Sequence, residues 1–433
     1  MERHVKKIAF TICAKNYIGL AQTLGTSINF YNEDVLFLIF IADELTSGDL
    51  FSSFPDNVIL AKDAVNIPTK QWYEMCFKYD ITEFCTSIKP SCFKYIFEKY
   101  EPESCIYFDP DILVFNRLDS IYEELNTFSI ILTPHITLME EVYTGKLSEQ
   151  SLLYSGIYNL GFLALKNDST SIKMLNWWTI RLKDRCYQNK MESYFTDQKW
   201  MDFLPAFFPN QLFICTDLGM NLAPWNFYER TIVVQNKQLL IKNRIDTEDT
   251  RLYPLIFVHF SGFNYAALLN DTISQDNIGN LDIPADLRII FEKYKQHLIK
   301  SDFAKFISQP YTYGVFSNEV YISIVYRRLF RRLLEDGKID NNPFLADGPF
   351  YFSLKKAGVI TENMASSDKA SIGNVADAEK KILIINRFFF YLFKITGAKR
   401  FFTLTRLMRL YSKHENHIYL IDKSYLKRFK IRN

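Results

Sequence analysis

Glycine and proline are scarce, 15 and 14 of 433 residues, which excludes collagen-like and Gly/Pro-rich low-complexity architectures. The seven cysteines (Cys13, Cys76, Cys85, Cys92, Cys105, Cys186 and Cys215) are odd in number and never spaced C-x-x-C. That argues against a disulfide framework or a zinc ribbon and for reduced core thiols. No apolar run approaches the ~18 residues that a membrane span requires. The basic start leads only to a short apolar stretch, residues 8–13, soon broken by Lys15. This is too short for a secretory signal. The expectation is a cytoplasmic protein, or one held on the inner membrane face. A net charge of +2 leaves no overall bias, but it hides an asymmetry: residues 379–433 carry fourteen Lys and Arg against three acids.

What is present is 48% hydrophobic and 23% charged, a soluble globular composition long enough for one large domain with an appendage, or two domains. Aromatics reach 16%, which points to aromatic cores and to stacking faces for flat ligands. Residues 8–13 read as a strand, 17–31 as a helix with Leu20, Leu24, Ile28 and Tyr31 on one stripe, and 35–42 as a second strand. Strand, helix and strand in this order predict a βαβ unit of a parallel sheet. Such sheets bind ligands at the carboxyl ends of their strands, so Thr11, Cys13, Tyr17 and Asp43 become candidates for holding a nucleotide.

Further on, 58–60 reads as a strand, 70–79 as a helix, and 83–100 as a helix that Pro90 divides. Residues 105–115, Cys-Ile-Tyr-Phe-Asp-Pro-Asp-Ile-Leu-Val-Phe, put Asp109 and Asp111 at the end of a buried strand. Two carboxylates in an apolar setting are costly unless paired or metal-bound. A turn built on Pro110 is the bland alternative, and a lone D-x-D is weak. Residues 129–133 read as a strand and 138–153 as a polar excursion. Residues 157–165 read as a strand containing Asn159-Leu-Gly161, where the glycine suggests a close approach. A helix over 172–189 is followed by another opening at Asp197-Gln198, with Thr196 as its expected N-cap. Strands are expected at 213–215, 232–234 and 255–260, the last ending His259-Phe-Ser-Gly262. Helices follow at 286–298 and 318–336. Residues 361–378 read as a linker or disordered loop.

The order of these pieces resembles the nucleotide-sugar glycosyltransferases of the GT-A fold, and within them the family-8 group that includes glycogenin and bacterial lipopolysaccharide glycosyltransferases. The resemblance covers about 8–263. It implies a Rossmann-like α/β fold, a mixed, mostly parallel sheet flanked by helices, with a C-terminal helical region. The expected domains are a catalytic one over 1–265, a helical accessory region over 266–360, the linker, and a basic amphipathic helical tail over 379–433. The implied activity moves a hexose from a nucleotide-diphosphate sugar, with UDP as the expected carrier, to a bacterial surface glycan or lipid-linked acceptor. Asp109, Asp111 and His259 would bind Mn²⁺ or Mg²⁺, for which hard carboxylates and one imidazole are suited. Lys89, Thr11, Tyr17 and Asp43 match positions around the donor. Asn159 matches a position near the donor sugar, and Asp197 and Gln198 match a pair beside the reacting carbon. The family pattern H-F-x-G-x-x-K-P-W is broken, because Phe263-Asn-Tyr-Ala-Ala267 lacks its lysine. Lys89 or an arginine of the C-terminal part would have to supply that charge.

Two other readings stand beside this one. A nucleotidyltransferase also places aspartates on a metal, but Cys13-Ala-Lys-Asn-Tyr17 lacks the usual Gly-rich basic loop. A non-catalytic nucleotide-sugar scaffold would be favoured by loss of either aspartate. The tail, with Lys and Arg expected on one face and Phe, Leu and Tyr on the other, suits an anionic membrane surface. A packing or dimerisation helix competes with that reading. Nucleic acid is not expected, since no nucleic-acid fold accompanies the charge.

Overall fold

The computed structural model describes residues 6–45, 57–139, 149–275, 281, 283–301, 303–339, 342–360 and 377–427. Nearly all of the expected linker, the middle of the excursion over 138–153 and the end of the tail lie outside them. The chain divides into two compact units, Met1–Pro68 with Ile81–Thr312, and Thr69–Asp80 with Tyr313–Asn433.

The first unit is built on a seven-stranded sheet. Its strands in chain order are β1 (Lys7–Cys13), β2 (Val35–Ile41), β3 (Val58–Leu60), β4 (Ser104–Phe108), β6 (Ile130–Leu132), β7 (Phe162–Lys166) and the strand Leu212–Ile214; β5 (Ile112–Val114) stands outside it. Across the sheet the order is Leu212–Ile214, β6, β7, β4, β1, β2, β3. Every neighbouring pair is parallel except the two made by β7, which runs against both β6 and β4. The mixed, mostly parallel sheet flanked by helices is thus as expected.

Central strands of such a sheet are covered on both faces and read as unbroken apolar runs. Val-Leu-Phe-Leu-Ile-Phe-Ile of β2 is one. The helix α1 (Ile18–Tyr31) packs so closely on this strand that a Cβ on Gly25 would sit 2.5 Å from the Phe37 ring. One core cluster joins β1, β2, β4 and α1 through residues such as Ala9, Leu24, Ile39 and Ile106. A second gathers Phe260, Phe263, Phe291 and Tyr294 near the helix Arg288–Lys300.

The reversal of β7 decides what gathers at one edge. The parallel strands β1, β2, β4 and β6 bring their carboxyl ends there, whereas β7 brings its beginning, because Phe162 lies opposite Phe108. Asn159 and Gly161 therefore precede the strand instead of lying within it. The Asn159 side chain accepts from the Gly161 amide at 3.2 Å, a local turn that competes with strand pairing. Thr196 also departs from expectation. It is not an N-cap but a residue with φ of 43°, and a 3-10 turn, Gln198–Phe203, begins after Asp197.

The second unit packs Phe77, Phe316, Tyr326, Phe330 and Tyr351 into a core of its own. Its helix Ile324–Glu335 starts later than the 318–336 expectation, because Ser323 caps it by accepting from the Tyr326 amide. The helix is basic in sequence but its arginines are not solvated. Arg331 pairs with Glu335 and Glu415, and Arg332 with Asp336. Arg327 donates to the carbonyls of Cys76, Phe77 and Tyr79 at 2.8–3.0 Å and to that of Tyr313 at 2.8 Å. It thereby satisfies the carbonyls left over at the end of the helix Thr69–Lys78.

The tail forms a helix, Ala378–Met408, none of whose residues is buried, interrupted at Gly397 with φ of 75°. Beyond the break the chain folds back enough for Phe401 to meet Phe393 at 5.4 Å and Phe389 at 6.0 Å. The expected two-faced helix is not what forms. Ile382, Leu383, Ile384 and Ile385 are consecutive and all exposed, and at about 100° per residue four in a row cover the whole circumference.

Replacing Arg327 by Met leaves three buried carbonyls of one helix end without this donor. It is expected to destabilise the second unit by about 3 kcal/mol. The effect would be read as a lowered urea midpoint together with faster amide exchange across the helix Ile324–Glu335.

Candidate functional site

At that sheet edge three ligating side chains meet: Asp109, Asp111 and His259, whose candidate ligand atoms all lie within 4.8 Å of one another. Phe257–His259 pairs antiparallel with β5, setting His259 opposite Ile112 and thus beside Asp111, and the Phe260 amide donates to the Asp111 carbonyl. His259 Nε2 stands 3.1 Å from Asp111 Oδ1 and 3.7 Å from Asp109 Oδ2. Adjacent ligands of an octahedral cation with metal–oxygen distances near 2.1 Å are about 3 Å apart, so the three fit one divalent ion.

Each ligand is held from behind. Tyr107 donates its hydroxyl to Asp109 Oδ1 at 2.5 Å, and Tyr265 donates to Asp111 Oδ2 at 2.9 Å. His259 Nδ1 lies 3.1 Å from Asn159 Oδ1. An amide oxygen can only accept, so Nδ1 donates its N–H there and Nε2 is the nitrogen turned to the carboxylates. Gly161 makes room for the ring. A Cβ there would fall 2.3 Å from His259 Cε1.

The electrostatics show three groups sharing one site. Burial pushes the Asp109 carboxyl up, opposed by Lys89 and His259 and reinforced by Asp111, and it ends above the usual range. Burial acts likewise on Asp111, but the charge and hydrogen bond of His259 prevail and hold it low. Burial depresses the His259 imidazole, yet Asp111 and then Asp109 lift it above its ordinary value. Such mutual dependence follows from two carboxylates and an imidazole held in contact away from water.

The nucleotide candidates lie at the neighbouring strand ends. Thr11 on β1 is fully buried, and its hydroxyl finds no partner among the described residues. Asp43, just past β2, is 1% exposed. Its Oδ1 accepts from the amides of Glu44 and Thr312, while Oδ2 has no partner among the described residues. Burial raises its carboxyl despite the opposing charge of Lys15. Cys13 is buried at the end of β1, and burial raises its thiol far above its ordinary value. Tyr17 meets Tyr265 edge to face at 6.3 Å, next to the ring that holds Asp111.

Lys89 is 1% exposed and turned inward. It pairs with Asp197 at 2.6 Å, donates to the Leu160 carbonyl at 2.9 Å, and lies 4.0 Å over the Tyr107 ring. Asp197 also accepts from Thr196, and Gln198 holds the Leu160 amide and the Ser155 carbonyl. Asn159 joins Gln198, Gly161, Asn221 and His259. Three residues escaped the sequence reading. Asn16 leaves its Oδ1 buried with no partner among the described residues. Lys15 lies buried beside Asp43. Tyr265 occupies the lysine position of the H-F-x-G-x-x-K pattern and turns to Asp111. Counting along that pattern would have singled out Tyr265; nothing in the sequence marks the other two.

No family model matches the chain. The uncharacterized protein YfnF of Bacillus subtilis (strain 168) is 27% identical over 220 residues, which make up 51% of this chain and 68% of that protein. The uncharacterized protein YfnD of the same organism is 25% identical over 191 residues, 42% of this chain and 54% of that protein, so the match spans about half of its length. Solved structures similar in fold include the galactosyltransferase LgtC in complex with donor and acceptor sugar analogues, at 13% identity, covering 70% of this chain and 97% of that one, with a TM-score of 0.38. They also include the glycosyltransferase GlyE of Streptococcus pneumoniae TIGR4, at 14% identity, 72% and 67% coverage, and a TM-score of 0.35.

Replacing Tyr265 by Phe removes the hydroxyl that orients Asp111 while keeping the ring. Affinity for Mn²⁺, followed by calorimetry or by the electron paramagnetic resonance of free ion, is expected to fall roughly tenfold or more with the fold intact.

Proposed function

We propose that the chain is a metal-dependent glycosyltransferase of the GT-A type, moving a hexose from a nucleotide diphosphate sugar to an acceptor hydroxyl. The observation that carries this reading is the Asp109–Asp111–His259 triad on one sheet edge, with buried polar atoms that have no partner among the described residues at the ends of β1 and β2. The ordered motifs shared with the family-8 group support it.

The triad would hold Mn²⁺ or Mg²⁺, and the ion when bound would neutralise charge on the leaving diphosphate. Thr11, Asn16 and Asp43 would face the base. Asn16 Oδ1 and Asp43 Oδ2 both lack a donor among the described residues, which suits a base edge bearing N–H groups, such as uracil. UDP is therefore the expected carrier. Tyr17 offers a ring face beside it. Cys13 shapes the floor, since its raised pKa keeps the thiol neutral. In the transfer, the bond from the anomeric carbon to the diphosphate oxygen breaks and an acceptor hydroxyl oxygen takes its place. Asp197 and Gln198 are assigned to the wall beside that carbon, with Lys89 holding the Asp197 carboxyl in place at 2.6 Å. Asn159 orients His259. With Lys89 committed inward, the lysine missing at Tyr265 leaves the metal as the chief positive charge at the diphosphate.

The reading extends to a bacterial surface glycan or lipid-linked acceptor met at the inner face of a membrane. No helix of the described residues is long and apolar enough to cross one. The helix Ala378–Met408 instead exposes Phe388, Phe390, Tyr391 and Ile395 among Lys380, Lys381, Arg387 and Lys394, with Glu379 the one acid in its sequence. Exposed rings set among basic side chains suit an anionic lipid surface through their charge, without a separate apolar face.

Incubated with Mn²⁺ and a panel of nucleotide sugars, the protein is expected to release nucleoside diphosphate slowly from its cognate donor. Chelation or Asp109→Asn should lower release by at least about a hundredfold. Release that ignores both would overturn the reading. Exchanging Lys380, Lys381 and Arg387 for Gln should weaken binding of the full chain to phosphatidylserine vesicles by about 1 kcal/mol per residue. Neutral vesicles should not distinguish the two proteins.

A further inference from the structure

The loop Asn221-Leu-Ala-Pro-Trp-Asn226 lies beside the metal-side strand. The His259 amide donates to the Leu222 carbonyl at 2.8 Å, and the Leu222 amide to that of Phe257. The loop is tied shut by Asn226, which accepts from the Ala223 amide and donates to the carbonyls of Asn221 and His135. Within this rigid frame two polar atoms stand idle. Asn221 is fully buried with φ of 55°. Its Nδ2 donates to Thr133 and Asn159, yet its Oδ1 has no partner among the described residues. Trp225 stands edge-on to His135 at 5.0 Å and to His259 at 5.3 Å, and its buried Nε1 likewise has no partner among them. Leaving either group unpaired costs free energy, so each calls for a partner that the described residues do not supply.

We infer that Asn221 and Trp225 form a subsite for a neutral, hydroxylated sugar ring, read by one accepting carbonyl and one donating indole N–H. This rests on the function proposed above. A sugar hydroxyl both donates and accepts, which answers both idle atoms at once. The position fits, because Trp225 lies 5.3 Å, ring to ring, from His259, the residue assigned above to the metal end of the site. The ring could enter as the sugar of the donor or as that of the acceptor.

The test uses the full chain with Mn²⁺ and compares wild type with Trp225→Phe, which keeps a ring but removes the N–H. Calorimetry of UDP, UDP-glucose and UDP-galactose gives the sugar's own contribution. Methyl glucoside and methyl galactoside titrated into the UDP–Mn²⁺ complex probe the acceptor side. We expect UDP affinity and melting temperature to hold while one sugar contribution falls roughly three- to tenfold. Loss in the UDP-hexose series assigns the donor sugar, and loss in the glycoside series assigns the acceptor. If the UDP-sugars and glycosides bind both proteins equally, or bind wild type no better than UDP alone does, the subsite is overturned. Metal-dependent UDP binding that is absent in wild type would instead overturn the parent reading.

Discussion

The antiparallel pairing of Phe257–His259 with Ile112–Val114 is the contact on which the site depends. It brings an imidazole beside an aspartate more than a hundred residues earlier in the chain, and it does so through backbone bonds rather than side-chain attraction. Without that pairing, Asp109 and Asp111 would lose the imidazole that stands between them, and burial disfavours two adjacent carboxylates so deprived. Gly161 and Asn159 complete it. One leaves the space for the imidazole and the other accepts its Nδ1–H. The turn before β7 exists largely to serve His259.

From this centre the rest of the edge follows. Tyr107 and Tyr265 fix the two carboxylates, and Tyr17 leans on Tyr265, so the carboxylate pair and the segment that follows β1 meet at a wall of rings. Lys89 is committed inward, to Asp197 and the Leu160 carbonyl. A lysine ammonium at 1% exposure needs a carboxylate close by, and Asp197 is that carboxylate. The arginines of the helix Ile324–Glu335 follow the same rule and find their partners inside the second unit. Tyr265 at the lysine position of the pattern and the inward turn of Lys89 thus leave neither side chain offering a free ammonium beside Asp109 and Asp111.

Some of this could be read directly. The strand, helix and strand from Lys7 to Ile41 were legible because their apolar runs are contiguous and their neighbours in space are neighbours in the chain. Asp109 and Asp111 were legible because carboxylates after a buried strand need a reason. Asn159 was noticed but set inside a strand, since its competing bond to Gly161 depends on side-chain geometry that periodicity does not carry. Thr196 looked like a cap and is a positive-φ residue instead. In the tail, charge and aromatic content suggested two faces, but Ile382 to Ile385 run consecutively and surround the helix.

The sequence by itself determined which residue types were available, and that strands would end at Asp43, Asp109 and His259. It also carried the departure at Tyr265. Only the tertiary structure decided what each would touch: that β7 runs backward and delivers Asn159, that Lys89 faces Asp197, and that Asn221 and Trp225 keep an acceptor and a donor without partners among the described residues. The reason is physical. Composition and spacing govern what a segment can bury, whereas side-chain partners across such separations are set by strand order and register, which no local pattern encodes.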